Sequence, residues 1–123
     1  PGEVRKVRHV MSSALTVVSP DTSLEEAVSL MAAMKVPVIV VYEGTRLVGM
    51  VTDRDVALHR SSRPPTTAST VRDIMSEQVP YCREDDLLTD AQALMRLSEV
   101  DWMPVLDRQG RLAGVLSIYV PPS

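Results

Sequence analysis

Phenylalanine is absent from the 123 residues of this chain, which hold one Trp and three Tyr. A core made almost without aromatic rings has to be assembled from Val, Leu, Ile and Ala, with seven Met whose flexible thioethers fill irregular gaps. Cysteine occurs once, at Cys82, which excludes an internal disulfide, cannot make a zinc cluster alone and suits a reducing, cytoplasmic setting. A nucleophilic Cys82 would need a neighbouring base, and neither His9 nor His59 is close in sequence; an inert, partly buried thiol is expected. Long apolar runs are lacking too. The longest, Val36 to Tyr42, is far shorter than the ~20 residues that cross a bilayer, so no membrane span is expected. Ser12, Ser13 and Thr16 break the stretch after "VRKVRH", against a signal peptide. Net charge is −3, and Val4–His9 is the only basic run. Without a basic face to neutralise phosphates, nucleic acid is not an expected partner, and the run reads as a solvated lead-in.

What is present is ordinary globular composition, 45% hydrophobic and 24% charged, at a length that can bury roughly two-thirds of its unfolded surface. The chain is also written twice. "VRHVMS" at Val7–Ser12 returns as "VRDIMS" at Val71–Ser76, and the register holds through Leu24 with Leu88, Ala27 with Ala91, and Leu30–Met31 with Leu94–Met95. After one added residue it resumes: Val40–Val41 with Val105–Leu106, and "RLVGMVT" at Arg46–Thr52 with "RLAGVLS" at Arg111–Ser117. Repeats of this size are each marginal alone, so the two are expected to pack together about a pseudo-twofold axis.

Within the first repeat, "SLEE" at Ser23–Glu26 reads as a capping box that starts a helix. Leu24, Ala27, Val28, Met31 and Met34 follow the helical period and are expected to face a sheet. "PVIVVY" at Pro37–Tyr42 is continuously apolar, as a strand covered on both faces would be, and "EGT" at Glu43–Thr45 turns it into "RLVGMV" as an antiparallel hairpin. The second repeat predicts a helix from about Leu87 to Leu97, a strand over Met103–Leu106, a turn at "DRQG" and a strand over Arg111–Leu116. Short initial strands are expected at Thr16–Val18 and Val79–Cys82, and a helix from Asp53 to about Arg60. The final "IYVPPS" holds two prolines and cannot continue as a helix. The fold class is α+β with α/β-like units: repeat 1 over residues 7–60, a Ser/Thr/Pro-rich linker over 61–70, and repeat 2 over 71–120 with its last helix truncated.

This order of features resembles the cystathionine-β-synthase (CBS) domain, which occurs as tandem β-α-β-β-α pairs known as Bateman modules. The resemblance is carried by the doubled "VRxxMS", the helices "DTSLEEAVSLM" and "DDLLTDAQALM", "MPVLDRQGRLAGVLS" and above all "GMVTDRD" at Gly49–Asp55, and it spans Val7 to about Ser117. It implies a regulatory or sensor module that binds an adenine nucleotide, AMP or ATP, or S-adenosylmethionine, in a cleft between repeats. It also implies a homodimer acting on an unknown effector domain or protein. The family's ribose-and-phosphate signature is Gly, hydrophobic, any residue, Thr or Ser, two free residues, then Asp; Gly49, Met50, Thr52 and Asp55 match it.

A helix opening after Thr52 would point unpaired N–H groups at a phosphate. Asp55, an acceptor when ionised, suits ribose hydroxyls, and Arg54 could reach the phosphate. Equally, Thr52 followed three residues on by an acid is a capping motif that needs no ligand. The resemblance further implies that Val36, Pro37 and Val38 with Met50, and Val79, Pro80 and Tyr81 from the opposite side, wall the base. Trp102 is either a stacking platform or a structural anchor. Ile39 stands where the family usually has a proline. The second cleft, with Ser117, Thr16 and Val17, is expected to be degenerate, because Val120 replaces the acid.

Other constellations are weaker. "DRD" at Asp53–Asp55 and "EDD" at Glu84–Asp86 carry carboxylates of the kind Mg²⁺ prefers, but Asp53 and Asp55, two apart on a helix, point different ways. His59 and Arg60 close that helix, where positive charge complements the dipole. With no nucleophile–base pair apparent, the chain is expected to have no catalytic residues, no metal and no required cofactor, and not to be an enzyme. The competing expectation is an interaction module that dimerises through its Met-rich helices without a ligand.

Overall fold

The computed structural model of the chain describes residues 5–13, 15–62 and 69–119. Most of the linker, and Val120, lie outside these residues. The elements follow in the order β1 (Val17–Val18), α1 (Leu24–Met34), β2 (Val38–Glu43), β3 (Arg46–Thr52), α2 (Asp53–Ser62), β4 (Cys82–Arg83), α3 (Leu88–Ser98), β5 (Trp102–Leu106) and β6 (Leu112–Ser117), with single 3-10 turns at Val7–His9 and Val71–Asp73. They form two three-stranded sheets, β1-β2-β3 and β4-β5-β6, each with a parallel first pair and an antiparallel hairpin.

Local chemistry explains where the helices begin and end. Ser23 Oγ accepts the Glu26 N–H at 3.1 Å and starts α1; the Glu26 side chain makes no reciprocal bond among the described residues, so only half of the expected box forms. Both α1 and α3 stop at a left-handed residue, Lys35 (φ 55°) and Glu99 (φ 57°), whose N–H folds back onto the last turn. Leu24, Ala27 and Met31 are buried and Val28 packs against them. Met34, expected on the same face, is 57% exposed: it is the last helical residue, where the chain turns away. Strand β4 begins later than Val79. Pro80 has no N–H to donate, and parallel pairing starts only with Cys82 opposite Val105.

The hairpins correct the alignment of the repeats. Val41 lies opposite Gly49, and Val105 lies opposite Gly114. Val40–Val41 therefore correspond to Pro104–Val105, not to Val105–Leu106. Four residues separate the last shared pair, Tyr42 and Leu47, whereas five separate Leu106 and Leu112. The added residue is thus in the second turn, where Asp107 Oδ1 accepts the N–H groups of both Gln109 and Arg111 at 2.9 Å. It follows that Pro104 has Val40 as its counterpart rather than Ile39, and that Trp102 has Val38.

The compact units cut across the sequence repeats. Residues Thr16–Val79 form one, and the residues up to Leu15 with those from Pro80 onward form the other. The two copies of "VRxxMS" act as straps, each closing the sheet made mainly by the other repeat. Strap Lys6–Ser12 is tied to the β4-β5-β6 unit by Val7 N–H to Asp86 O and by both bonds between Ser12 and Val115, all 2.9 Å. Strap Thr70–Ser76 is tied to the β1-β2-β3 unit by Val71 N–H to Thr22 O at 2.8 Å and by two bonds between Ser76 and Met50. Val71 is fully buried with Leu24, Ala27, Met31, Ile39, Val41, Val51 and Val56. Val7 is likewise buried with Leu88, Ala91, Met95, Met103, Val105 and Leu116. Each strap presses so close that a Cβ on the facing glycine has no room: at Gly49 it would meet Ser76 O at 2.6 Å, and at Gly114 Ser12 O at 2.5 Å.

The unit holding Val7 is tied at its surface by Asp85, whose carboxylate bonds both Arg8 of the strap and Arg108, the latter at 2.7 Å. The Arg108 hydrogen bond, with the charges of Arg108, Arg8 and Lys6, holds the Asp85 carboxyl below its ordinary range. In the same unit Cys82 is buried in the core. Burial, and secondarily the charge of Asp86, push its thiol up to about 12. At pH 8 Cys82 is accordingly a neutral thiol shielded from reagents. Iodoacetamide should leave the native chain unmodified over hours, and mass spectrometry should show one added group only after denaturation. Rapid native labelling would contradict the core placement.

Candidate functional site

The candidate site grows out of the end of the β2-β3 hairpin. Along β3 the two-residue period puts Met50 and Thr52 on one sheet face, where they sit opposite Val40 and Val38 of β2. Ile39, Val41 and Val51 take the other face and form the core under α1. Helix α2 follows Thr52 without an intervening loop, and the junction is fixed by three hydrogen bonds. Asp53 N–H donates to Pro37 O at 2.9 Å. Thr52 N–H donates to Asp55 Oδ2 at 2.9 Å, and Asp55 N–H donates to Thr52 Oγ1 at 3.2 Å. The last two make a reciprocal capping box.

This geometry changes the chemistry expected of the junction. The backbone donors of Thr52, Asp53 and Asp55 are spent internally, which leaves the Arg54 N–H alone outside these bonds rather than an open cradle of N–H groups. The junction presents side chains. Thr52 Oγ1 accepts one bond and keeps its own proton to donate. Asp55, half-buried, uses Oδ2 in the cap, while Oδ1 has no partner among the described residues. Arg54 and Asp53 are exposed on the first turn, and Arg54 makes no ion pair among the described residues.

The remaining expected site residues are distributed as follows. Val38 and Met50 are buried on the Thr52 face. Val36 packs instead against the core under α1, and Pro37 contributes its carbonyl to the helix start. Val79 is half-buried after the strap and outside any strand. In the other unit Pro80 is half-buried, Tyr81 is 48% exposed, and Trp102, half-buried, opens β5 directly opposite Ser117. Trp102 therefore stands in its own hairpin where Val38 stands beside Thr52.

Ser117 is the counterpart of Thr52, and the difference is plain. Its Oγ accepts the Tyr119 N–H at 3.1 Å in a bend, and no helix follows it among the described residues. Ile118 N–H donates to Asp101 O at 2.9 Å, repeating the bond between Asp53 and Pro37. Val17, on β1 of the first unit, is 49% exposed, and its neighbour Thr16 holds a buried Oγ1 with no hydrogen-bond partner among the described residues. Ser76 was not foreseen beside the site, although it pairs with Met50 two residues from Thr52. The repetition of "VRxxMS" marked the segment, but nothing local said which sheet it would join. No group of three or more His, Cys, Asp or Glu among the described residues could hold a metal ion, and none of their helices is long and apolar enough to cross a membrane.

Comparison with known proteins agrees with this architecture. A family profile described as the CBS domain matches residues 7–62 and 71–119. The CBS domain-containing protein YhcV of Bacillus subtilis is 32% identical over 91% of this chain and 79% of its own length. A crystal structure of a CBS domain, 30% identical, superposes with a TM-score of 0.82 over 94% of this chain and 93% of the other. The structure of CBSX2 in complex with AMP, a protein of Arabidopsis thaliana, is 29% identical with a TM-score of 0.75 over 91% and 89%. Some relatives are far longer: this chain spans 24% of the inosine-5'-monophosphate dehydrogenase of Aquifex aeolicus, so that match does not reach most of the enzyme. With both halves of the sequence matched and the α+β fold shared, the chain belongs to the CBS domain family as a tandem pair.

Proposed function

We propose that this chain is a regulatory or sensor module that binds an adenine nucleotide, AMP or ATP, without hydrolysing it, and passes occupancy on as a conformational or oligomeric change. The observation that carries the reading is the Thr52–Asp55 pair. The cap fixes both side chains, yet leaves a carboxylate oxygen to accept from a ribose diol and a hydroxyl proton to donate. Val38 and Met50 supply an apolar face beside them, and Arg54, which makes no ion pair among the described residues, is able to reach a phosphate. The AMP bound by CBSX2, at 29% identity, supports the choice of ligand class. S-adenosylmethionine shares the adenosine moiety and is the third candidate. The module acts as a homodimer on an effector domain or protein in a reducing, cytoplasmic setting, needing no cofactor.

A second reading has its own support. The cap gives Thr52 and Asp55 a role without any ligand, and α3 exposes Leu94 and, at 85%, Leu97. Such a surface suits a ligand-free dimerisation module. Its apolar side chains are leucines, because Met31 and Met95 are committed to the cores. Thermal denaturation with AMP, ATP and S-adenosylmethionine separates the two readings. A ligand selective for the folded chain stabilises it by about 2.7 kcal/mol at a hundredfold excess over its dissociation constant. A shift with at least one compound is expected; a flat response to all three would favour the dimerisation module.

A further inference from the structure

We propose that the Thr52–Asp55 site selects adenosyl ligands carrying one phosphate or none over ATP, an inference that rests on the nucleotide-binding reading above. Helix starts attract phosphate through free N–H groups and a positive dipole end worth roughly half a charge. Here the N–H groups of Thr52, Asp53 and Asp55 are already bound, to Asp55 Oδ2, Pro37 O and Thr52 Oγ1 respectively, so that among these first-turn donors only the Arg54 N–H stands outside the bonds. The charge balance of the first turn is also unfavourable to a polyphosphate. Asp53 and Asp55 place two carboxylates there against the single guanidinium of Arg54, and the dipole end does not make up the difference. The next basic residues on the helix, His59 and Arg60, are in its last turn.

What the junction does offer is matched to a sugar. Asp55 Oδ1 can accept from the diol and Thr52 Oγ1 can donate, and neither contact needs a phosphate. Arg54 can pair with one phosphate, whereas a triphosphate would bring further negative charge against Asp53, which is exposed and makes no ion pair among the described residues. Screening acts over about 8 Å at physiological salt, so the selection should be strongest at low ionic strength.

Calorimetric titration of the whole chain with adenosine, AMP and ATP, at low salt and without divalent cations, tests this. Adenosine and AMP should bind within about tenfold of each other, and ATP at least about tenfold more weakly than AMP, as like-charge juxtaposition dictates. The substitution Asp53→Asn should narrow the gap between AMP and ATP severalfold and leave adenosine affinity unchanged. It keeps the backbone bond to Pro37, so the helix start is preserved. ATP binding as tightly as AMP, or a gap indifferent to Asp53→Asn, would overturn the selectivity while leaving the site in place. Failure of all three compounds to bind would remove the site itself, and the selectivity with it.

Discussion

Asp55→Ala should weaken AMP binding by about 10- to 100-fold, the loss expected when a hydrogen bond to a charged acceptor is removed. The same change also dismantles the cap, because Asp55 Oδ2 holds the Thr52 N–H. That part should cost about 1 kcal/mol of stability. The two effects can be separated with Asp55→Asn. An asparagine oxygen can still accept the Thr52 N–H, so the helix start and thermal stability should stay near those of the parent. Its remaining amide group is a donor, however, and cannot replace Oδ1 as an acceptor for a ribose diol. AMP affinity should therefore fall in Asp55→Asn almost as far as in Asp55→Ala. Calorimetry on both variants reads the result. If Asp55→Asn bound AMP as tightly as the parent, the carboxylate would have only its capping role.

The largest effect on stability is expected from Gly49→Ala. The added methyl would lie 2.6 Å from Ser76 O, a backbone atom that cannot rotate away. Relief requires the strap to retreat from β3, which strains the two bonds between Ser76 and Met50 and pulls on Val71, buried in the core. Overpacking of this kind costs typically about 1–3 kcal/mol, and the upper end applies because the obstacle is main chain. The denaturation midpoint should fall by roughly 6–12 °C for a chain of this size. Gly44→Ala is the internal comparison. Gly44 has φ 65° but open space around it, so only left-handed backbone strain remains, about 1–2 kcal/mol. Should Gly44→Ala prove as damaging as Gly49→Ala, the close approach of the strap would not be a major determinant of stability.

Much of the fold could be read from local chemistry. The helical stripe Leu24, Ala27 and Met31 needs only periodicity, and the caps at Ser23 and Thr52 need only neighbours three residues away. The reciprocal Thr52–Asp55 box was among the alternatives the spacing offered, and the structure forms it. Register was harder. An apolar run such as "VIVVY" cannot locate a one-residue insertion, because every shift still buries a valine; the opposition of Val41 to Gly49 and of Val105 to Gly114 settles it. The straps were out of reach for a different reason. "VRHVMS" and "VRDIMS" are nearly the same word, and which sheet each joins depends on contacts dozens of residues away. Val36 went to the core rather than to the Thr52 face because the chain has not yet entered the strand there, so alternation does not govern it.

The crossed straps also bear on how the chain comes off the ribosome. Everything between Thr16 and Val79 is contiguous, so that half can close its strap onto β3 as soon as Ser76 has emerged. Val7 is made before that half, yet its own partners begin only with Cys82 and are not complete until Leu116, more than a hundred residues after Val7, is synthesised. Until then an apolar valine among basic residues lacks its complete sheet, the kind of transiently uncovered surface that invites misassembly.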